Sequence, residues 1–475
     1  MTSQTDTAAG LETALQYLTD NADANMRRLD DFLRIESVSA DPARRDAVRR
    51  TAEWVADWMR EIGVDGVQLH ETASHPIVTG EWLGAGEAAP TVLVYCHYDV
   101  QPADPLDEWV RPPFEPRYEN DIVYARGSGD DKGQLMMHLA AAEAWIKGAG
   151  GAPVNLRFFF EGDEEVGSEP AEQFIAAHPE LLQADLSVVS DSDMGDDENT
   201  PAITYGLRGI AYFELRVRGS HQDLHSGQFG GGVDNPANVL VHLLDQLIDD
   251  DGRVTVPGFY DRVRDLSDDE RAAYAAQPFD PEVERDRIGL RAWSEGERGW
   301  TLLERMSGRP TFDINGLWGG YSGEGAKTII PAWAAAKFST RLVPDQDYRE
   351  IERLVTAHVE SLAPATVKVE IKVIHGGAPA ITPLDHPGVR LGAEALEAAF
   401  GKAPLYHRTG GSVPVVAALD TTLGLKSVLI GFASPNGNFH SPNEWMPLWN
   451  VRGGMNAIVR LWDRFGSVTP EELRG

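Results

Sequence analysis

This sequence contains one cysteine, Cys96, in 475 residues. A single thiol cannot close an internal disulfide, so a reducing, cytoplasmic setting is expected. No run of about 18 apolar residues occurs, so no membrane-spanning helix is expected. The opening stretch, MTSQTDTAAGLETALQYLTD, lacks a basic segment followed by an apolar one and does not read as a secretory signal. Basic residues are scarce: 42 Lys and Arg stand against 74 Asp and Glu, a formal net charge of -32. So acidic a surface repels phosphate backbones, and no nucleic-acid partner is expected. Internal repeats and low-complexity tracts are absent, so a solenoid is not expected either. What is present is ordinary for a folded protein, with 42% hydrophobic and 24% charged residues. The length calls for two or three domains. Most of the acid surplus is solvated surface. The informative acids are those that follow apolar runs.

Apolar residues at spacings of three and four mark helices in LETALQYLTDNADANMRRLDDFLRIESVS and RRDAVRRTAEWVADWMREIG, the second closing at Gly63. TVLVYCHYDV, VNLRFFF and DLSVVSDSD read as short buried strands. Between them lie the helical stretches GQLMMHLAAAEAWIKGAG and EPAEQFIAAHPELL. Strands alternating with helices predict a mostly parallel sheet flanked by helices, an α/β fold. The pattern changes near Tyr205. GIAYFELRVRG alternates like a strand with one wet face, NPANVLVHLLDQLIDDDG is helical, and AAAKFSTRLVPD and TVKVEIKVIHGG read as strands around a helix at 347–362. That predicts an inserted α+β domain at 207–383, with 1–206 and 384–475 forming the first domain. The polar tract from about Arg253 to Arg309 gives no periodic signal. After Pro383 the α/β pattern returns, with a helix near 389–400, the strand KSVLIGF and a helix near 450–465.

One run concentrates the chemistry. FFFEGDEEVGSEP, Phe158–Pro170, ends an apolar strand in Glu161, Asp163, Glu164 and Glu165. In open α/β sheets ligands sit beyond the carboxyl ends of the strands. The same rim receives His97 and Asp99 from YCHYDV, Asp130 and Asp131 from RGSGDDKG, Asp191 and Asp193 from VVSDSD, and His440 from GFASPNGNFHSPNE. Singly, each has an ordinary reading as a helix cap, a solvated turn or a satisfied polar residue. Together, so many anions repel unless a cation neutralises them. Imidazole and carboxylate without a thiolate cluster suit zinc or a similar divalent ion. The donors outnumber those of one tetrahedral zinc. Two ions about 3.5–4 Å apart that share a carboxylate would use them. Asp99, two residues from His97, would fix the imidazole tautomer. Glu165 would bind metal while Glu164 takes a proton from water, which points to amide hydrolysis. A glycosidase built on the adjacent pair fits poorly, because neighbours on an extended segment face opposite ways. Asp163 and Glu161 read as part of a solvated charged turn.

HYDVQP, RGSGDDKG, EGDEEVGSE, VVSDSD, ITYGLRGIAYFELRV, DLHSGQFGG, GAKTIIP, RLVPD, RTGGSVPV and FHSPNE follow one another along nearly the whole chain. In that order they resemble the successive motifs of the M20 metallopeptidases, above all the cytosolic non-specific dipeptidase and carnosinase branch. The resemblance implies a zinc-peptidase-like catalytic domain and an inserted lid and dimerisation domain. It implies two divalent ions per subunit, zinc in first place and manganese as the alternative. His97, Asp130 and Asp191 would hold one ion. Asp130 would bridge to the second, held also by Glu165 and His440. Asp130 is preferred to Asp131 because the motif is Asp-x-Lys-Gly. Asp191 follows the family's Ser-Asp pattern, which Ser192-Asp193 repeats. Asp99 would orient His97, and Glu164 would be the general base. His225 would reach the active site of the partner in a homodimer and stabilise the oxyanion. Arg341 would bind the substrate's carboxylate, and Thr328, His375 and Ser412 would make further substrate contacts. The implied activity is dipeptide hydrolysis, with N-acyl-amino-acid deacylation on the same fold as the alternative.

Overall fold

The computed structural model describes residues 4–196, 199–411 and 413–475. The chain divides into two compact units. Met1–Tyr205, Thr382–His407 and Val413–Gly475 form the first, and Gly206–Ile381 with a short segment from Arg408 forms the second.

In the first unit, four parallel strands make the centre of one sheet, in the order Asn155–Glu161, Thr91–His97, Leu186–Val189, Ser427–Gly431. Antiparallel strands extend it on both sides, Ile77–Trp82 and Asp65–His70 on one and Ala202–Leu207 on the other. The expected α/β architecture is therefore present, with its parallel part confined to the middle. The triple phenylalanine shows why. Phe158 and Phe160 enter the main core, while Phe159 stacks on Phe174 of helix Glu169–Ala177, ring centroids 5.7 Å apart. Consecutive apolar side chains belong to a strand covered on both faces.

The helices follow the same logic. Helix Arg45–Ile62 buries a stripe of Val48, Ala52, Val55, Met59 and Ile62. It stops at Gly63, whose φ of 99° is left-handed and favours glycine. Helix Lys132–Glu143 is buried at every residue, as its all-round apolar sequence requires. Among the described residues no helix is long and apolar enough to cross a membrane.

The second unit is built on an antiparallel sheet ordered Thr311–Gly319, Trp333–Leu342, Gly209–Arg218, Lys368–Gly377. Its alternating strands turn Phe213, Leu215, Ala336 and Phe338 into a core shared with helices Pro236–Asp245 and Tyr348–Leu362. The tract without periodicity carries two short helices, Asp268–Ala275 and Pro281–Arg287. Ion pairs knit it together beside buried apolar residues such as Val254, Val256 and Phe259. Arg309 meets Glu297 at 2.8 and 2.7 Å, Arg271 meets Glu304 at 2.9 Å, and Glu270 pairs with both Arg264 and Arg408. The Trp300 ring lies 4.5 Å from the Arg271 guanidinium and 4.4 Å from that of Arg309.

Gly431 closes the last central strand against another backbone. A Cβ there would lie 2.0 Å from the carbonyl of Ser192 and 2.4 Å from the nitrogen of Asp193. The Gly431→Ala variant is expected to lose ~1–3 kcal/mol of stability through this overpacking. A urea midpoint lowered at unchanged slope is the readout.

Candidate metal centre

Parallel neighbours end at the same rim, and these strands deliver their acids and histidines there. His97 is the last residue of its strand. Glu164 and Glu165 lie on a 3-10 turn, Glu164–Val166, just after strand Asn155–Glu161. Asp191 comes two residues after strand Leu186–Val189. Asp130 lies just before helix Lys132–Glu143, and His440 in the loop after Ser427–Gly431. The turn corrects the extended geometry expected for the glutamate pair. At three residues per turn, adjacent side chains diverge by roughly 120°.

Two donor groups result. His97, Asp130 and Asp191 form one; Asp130, Glu165 and His440 form the other; within each, the ligand atoms lie within 4.8 Å of one another. Asp130 belongs to both, because its Oδ1 is 3.1 Å from His97 Nε2 and its Oδ2 is 3.0 Å from His440 Nε2. His97 Nε2 lies 3.9 Å from Asp191 Oδ1, and His440 Nε2 lies 3.3 Å from Glu165 Oε2. Of the two candidate aspartates after the strand, Asp191 joins the cluster. Asp193 instead forms a β-bridge with Ala433. Asp131 turns away, its Oδ2 accepting from the His97 backbone N–H at 3.2 Å.

The electrostatics are those of crowded acids. Burial and the neighbouring acids, chiefly Asp191, push the Glu164 carboxyl well up. Burial, with Asp130 and Glu165, raises Asp191 to about 7. Burial works against the charged form of His97, but Asp130, Asp99 and Asp191 outweigh it and raise that imidazole well above its ordinary value. Hydrogen bonds to Asp130 and Glu165 raise His440 to about 10. The donors are nitrogen and oxygen only, and the anions outnumber the imidazoles. A hard or borderline divalent cation such as zinc or manganese fits this set, and its charge would relieve the repulsion.

Other residues hold the donors in place. Asp99 accepts at Oδ2 from the Glu165 backbone N–H, 3.2 Å, while its Oδ1 lies 3.2 Å from His97 Nδ1. One carboxylate thus fixes a member of each group. Gln101 donates to both Glu165 oxygens, from its backbone at 3.1 Å and its side chain at 2.8 Å. Glu444, fully buried, accepts from the backbone N–H groups of Gly127, Gly129 and Asp130 at 2.9, 2.8 and 3.1 Å, and from Arg126 at 2.7 Å. It ties the Asp130 loop to the loop of His440. Sequence reasoning gave Glu444, Arg126 and Gln101 no role. The signals were an acid four residues after His440 and polar residues flanking the histidine and aspartate motifs.

Glu161 and Asp163 do not form a solvated turn. Both are buried. Glu161 accepts from Tyr95 and Ser168 at 2.8 and 2.9 Å, and burial raises it to about 8. Asp163 accepts from the Ser74 hydroxyl at 2.6 Å and the His75 backbone at 3.1 Å. These acids are structural.

In the second unit, His225 precedes the short helix Ser226–Phe229, its Nδ1 accepting from the Gly227 N–H at 3.0 Å. A proton on the neutral ring therefore sits on Nε2. The Thr328 carbonyl accepts from the Ser226 N–H at 3.1 Å. His375 stacks on Tyr212, centroids 5.3 Å apart. Arg341 is half-buried, and burial disfavours its charged form. Burial and the nearby Arg341 lower Arg208 to about 10. Ser412 lies outside the described residues.

Residues 93–464 match the model of peptidase family M20/M25/M40, and the chain belongs to that family. It is 33% identical to the Cys-Gly metallodipeptidase of Schizosaccharomyces pombe, over 97% of this chain and 99% of that protein. It is 32% identical to the Beta-Ala-His dipeptidase of Homo sapiens, over 95% of this chain and 92% of that one. The M20 family metallo-carboxypeptidase Sso-CP2 from Sulfolobus solfataricus superposes with a TM-score of 0.83 at 30% identity, covering 94% of this chain and 99% of that structure. The family expected from the motifs is the one found.

Glu444→Ala would leave the buried Arg126 uncompensated and strip three N–H groups of their acceptor. A loss of ~3–5 kcal/mol is expected from breaking a buried pair on one side. Chemical denaturation measures it, and the divalent-metal content of the purified variant should fall with it.

Proposed function

We propose that this chain is a dipeptidase that works with two divalent ions, zinc in first place and manganese as the alternative. The observation that carries the reading is the pair of donor groups sharing Asp130, with Glu164 beside them. His97, Asp130 and Asp191 would hold one ion; Asp130, Glu165 and His440 would hold the other. Bound there, divalent ions supply Lewis-acid polarisation of a carbonyl and lower the pKa of water towards ~7.

The chain's own residues do the rest. Asp99 holds the His97 ring so that Nε2 faces the donor group. Glu164 takes a proton from the attacking water and returns it to the leaving amine. The planar fork of Arg341 grips the substrate's terminal carboxylate. Thr328 and His375 make further contacts, as would Ser412. In a homodimer made through the second unit, His225 presents its Nε2–H to the oxyanion in the partner's site. The lone buried cysteine suits a cytoplasmic enzyme. The dipeptidase names of two full-length relatives support the substrate class.

The deciding experiment is a substrate panel on metal-loaded protein: Cys-Gly, β-Ala-His, Ala-Leu, longer peptides and N-acetyl amino acids. Cleavage of the free-amine dipeptides is expected. Hydrolysis of N-acetyl amino acids alone would make the enzyme a deacylase, and trimming of longer peptides from the C-terminus would make it a carboxypeptidase.

Glu164→Gln should lower kcat by about 10²–10⁴-fold, the usual span for a general base, with metal content by atomic absorption near wild type. Activity that survived would remove Glu164 from that role. Neither His225→Ala nor Glu164→Gln homodimers should turn over well. Mixed under subunit exchange, they should regain part of the wild-type rate, because one site then holds both intact residues. No recovery in verified heterodimers means that His225 serves its own subunit or none.

A further inference from the structure

Helix Lys132–Glu143 is buried throughout, and between its two ends only Gln134 and His138 carry polar side chains. They stand four residues apart, on one face of the helix. Gln134 donates to the Gly129 carbonyl at 2.9 Å and accepts from the Phe432 N–H at 2.9 Å. It therefore ties the residue before Asp130 to the segment that leads to His440. His138 Nε2 lies 2.8 Å from the Ser190 hydroxyl, and both residues are fully buried. Ser190 immediately precedes Asp191.

An apolar side chain would suit this helix better than an imidazole. The ring is kept neutral, since burial lowers it to about 3. Its Nδ1 makes no hydrogen bond to any described residue. Leaving that atom buried and unpaired costs stability. Among the described residues, the Ser190 hydroxyl is thus the ring's one hydrogen-bond partner. Asp191 is the donor that most needs anchoring. It contributes to one group only, follows a four-residue strand, and at 3.9 Å lies farther from His97 Nε2 than Asp130 does.

We propose that His138 is a positioning residue: through the Ser190 hydroxyl it holds Asp191 in the donor group of His97 and Asp130. The inference rests on the reading of the two donor groups as metal sites, and it predicts an effect confined to one of them. Ring packing alone, such as the approach to Trp462 with centroids 6.4 Å apart, would spread any loss over the whole fold.

The test uses the full chain, stripped of metal and titrated with Zn²⁺ against a chromophoric chelator. Wild type should take up zinc in two steps. In His138→Leu, one step should weaken by about 10–100-fold, the range found when a ligand's hydrogen-bonded support is lost, with the other unchanged. Ser190→Ala should give the same selective loss, and the double variant should be no worse, because both changes remove one bond. His138→Gln, whose carboxamide can still bond the hydroxyl, should recover most of the affinity. A folded His138→Leu that titrates like wild type overturns the proposal, as does equal weakening of both steps. If His138→Leu does not fold, Ser190→Ala decides alone by the same two criteria. If wild type itself takes up no zinc, the underlying metal reading has failed, and the inference with it.

Discussion

The arrangement depends on one shared carboxylate. Asp130 directs its two oxygens at two histidines from different segments, His97 and His440. That geometry makes two donor groups out of one cluster, and it concentrates charge. Asp99, Glu164, Glu165 and Asp191 all feel one another or Asp130. Such a cluster does not hold itself together, so neighbouring polar groups restrain it. Glu444 gathers three backbone donors and a guanidinium around the Asp130 loop, Gln101 grips both oxygens of Glu165, and Asp99 links Glu165 to His97. The His440 backbone sits at a φ of 56°, an uncommon conformation for a non-glycine residue and one that costs ~1–3 kcal/mol.

The Phe158–Pro170 run shows how neighbouring residues acquire different functions. Four acids fall within five positions, and each has a different environment. Glu161, still on the strand, is bonded by Tyr95 and Ser168. Asp163 closes the Ser74–His75 turn. Glu164 and Glu165 lie on a 3-10 turn, whose tight winding sends adjacent side chains apart. Gln101 holds the second beside His440, while the first feels Asp191 most strongly of all the neighbouring charges.

The first unit was legible because its signals are local. A both-face apolar strand announces itself in Phe158, Phe159 and Phe160, a helix end in Gly63, and a ligand rim in acids that follow strands. Asp163 was misread because its partners lie nearly ninety positions upstream, in a turn whose return to the sheet no periodicity encodes. Glu444 and His138 escaped for a related reason. Each supports a ligand through a contact far away in sequence, which local periodicity does not encode. The tract from Arg253 to Arg309 was opaque for a different cause. Much of its interior is made of Arg–Glu pairs gathered at Trp300, and buried apolar residues such as Val254, Val256, Phe259 and Leu266 lie outside its two short helices.

Within the acidic whole, each unit has a charged cluster of its own. The first gathers carboxylates and imidazoles suited to cations. On the outward face of the second unit's sheet, Arg341 alternates with Ser339 along one strand, opposite Ile210 and Tyr212, and His375 stacks on Tyr212. Arg208 stands near enough to Arg341 for the two to repel. Asp313 works the other way, favouring the charged form of both guanidiniums against burial.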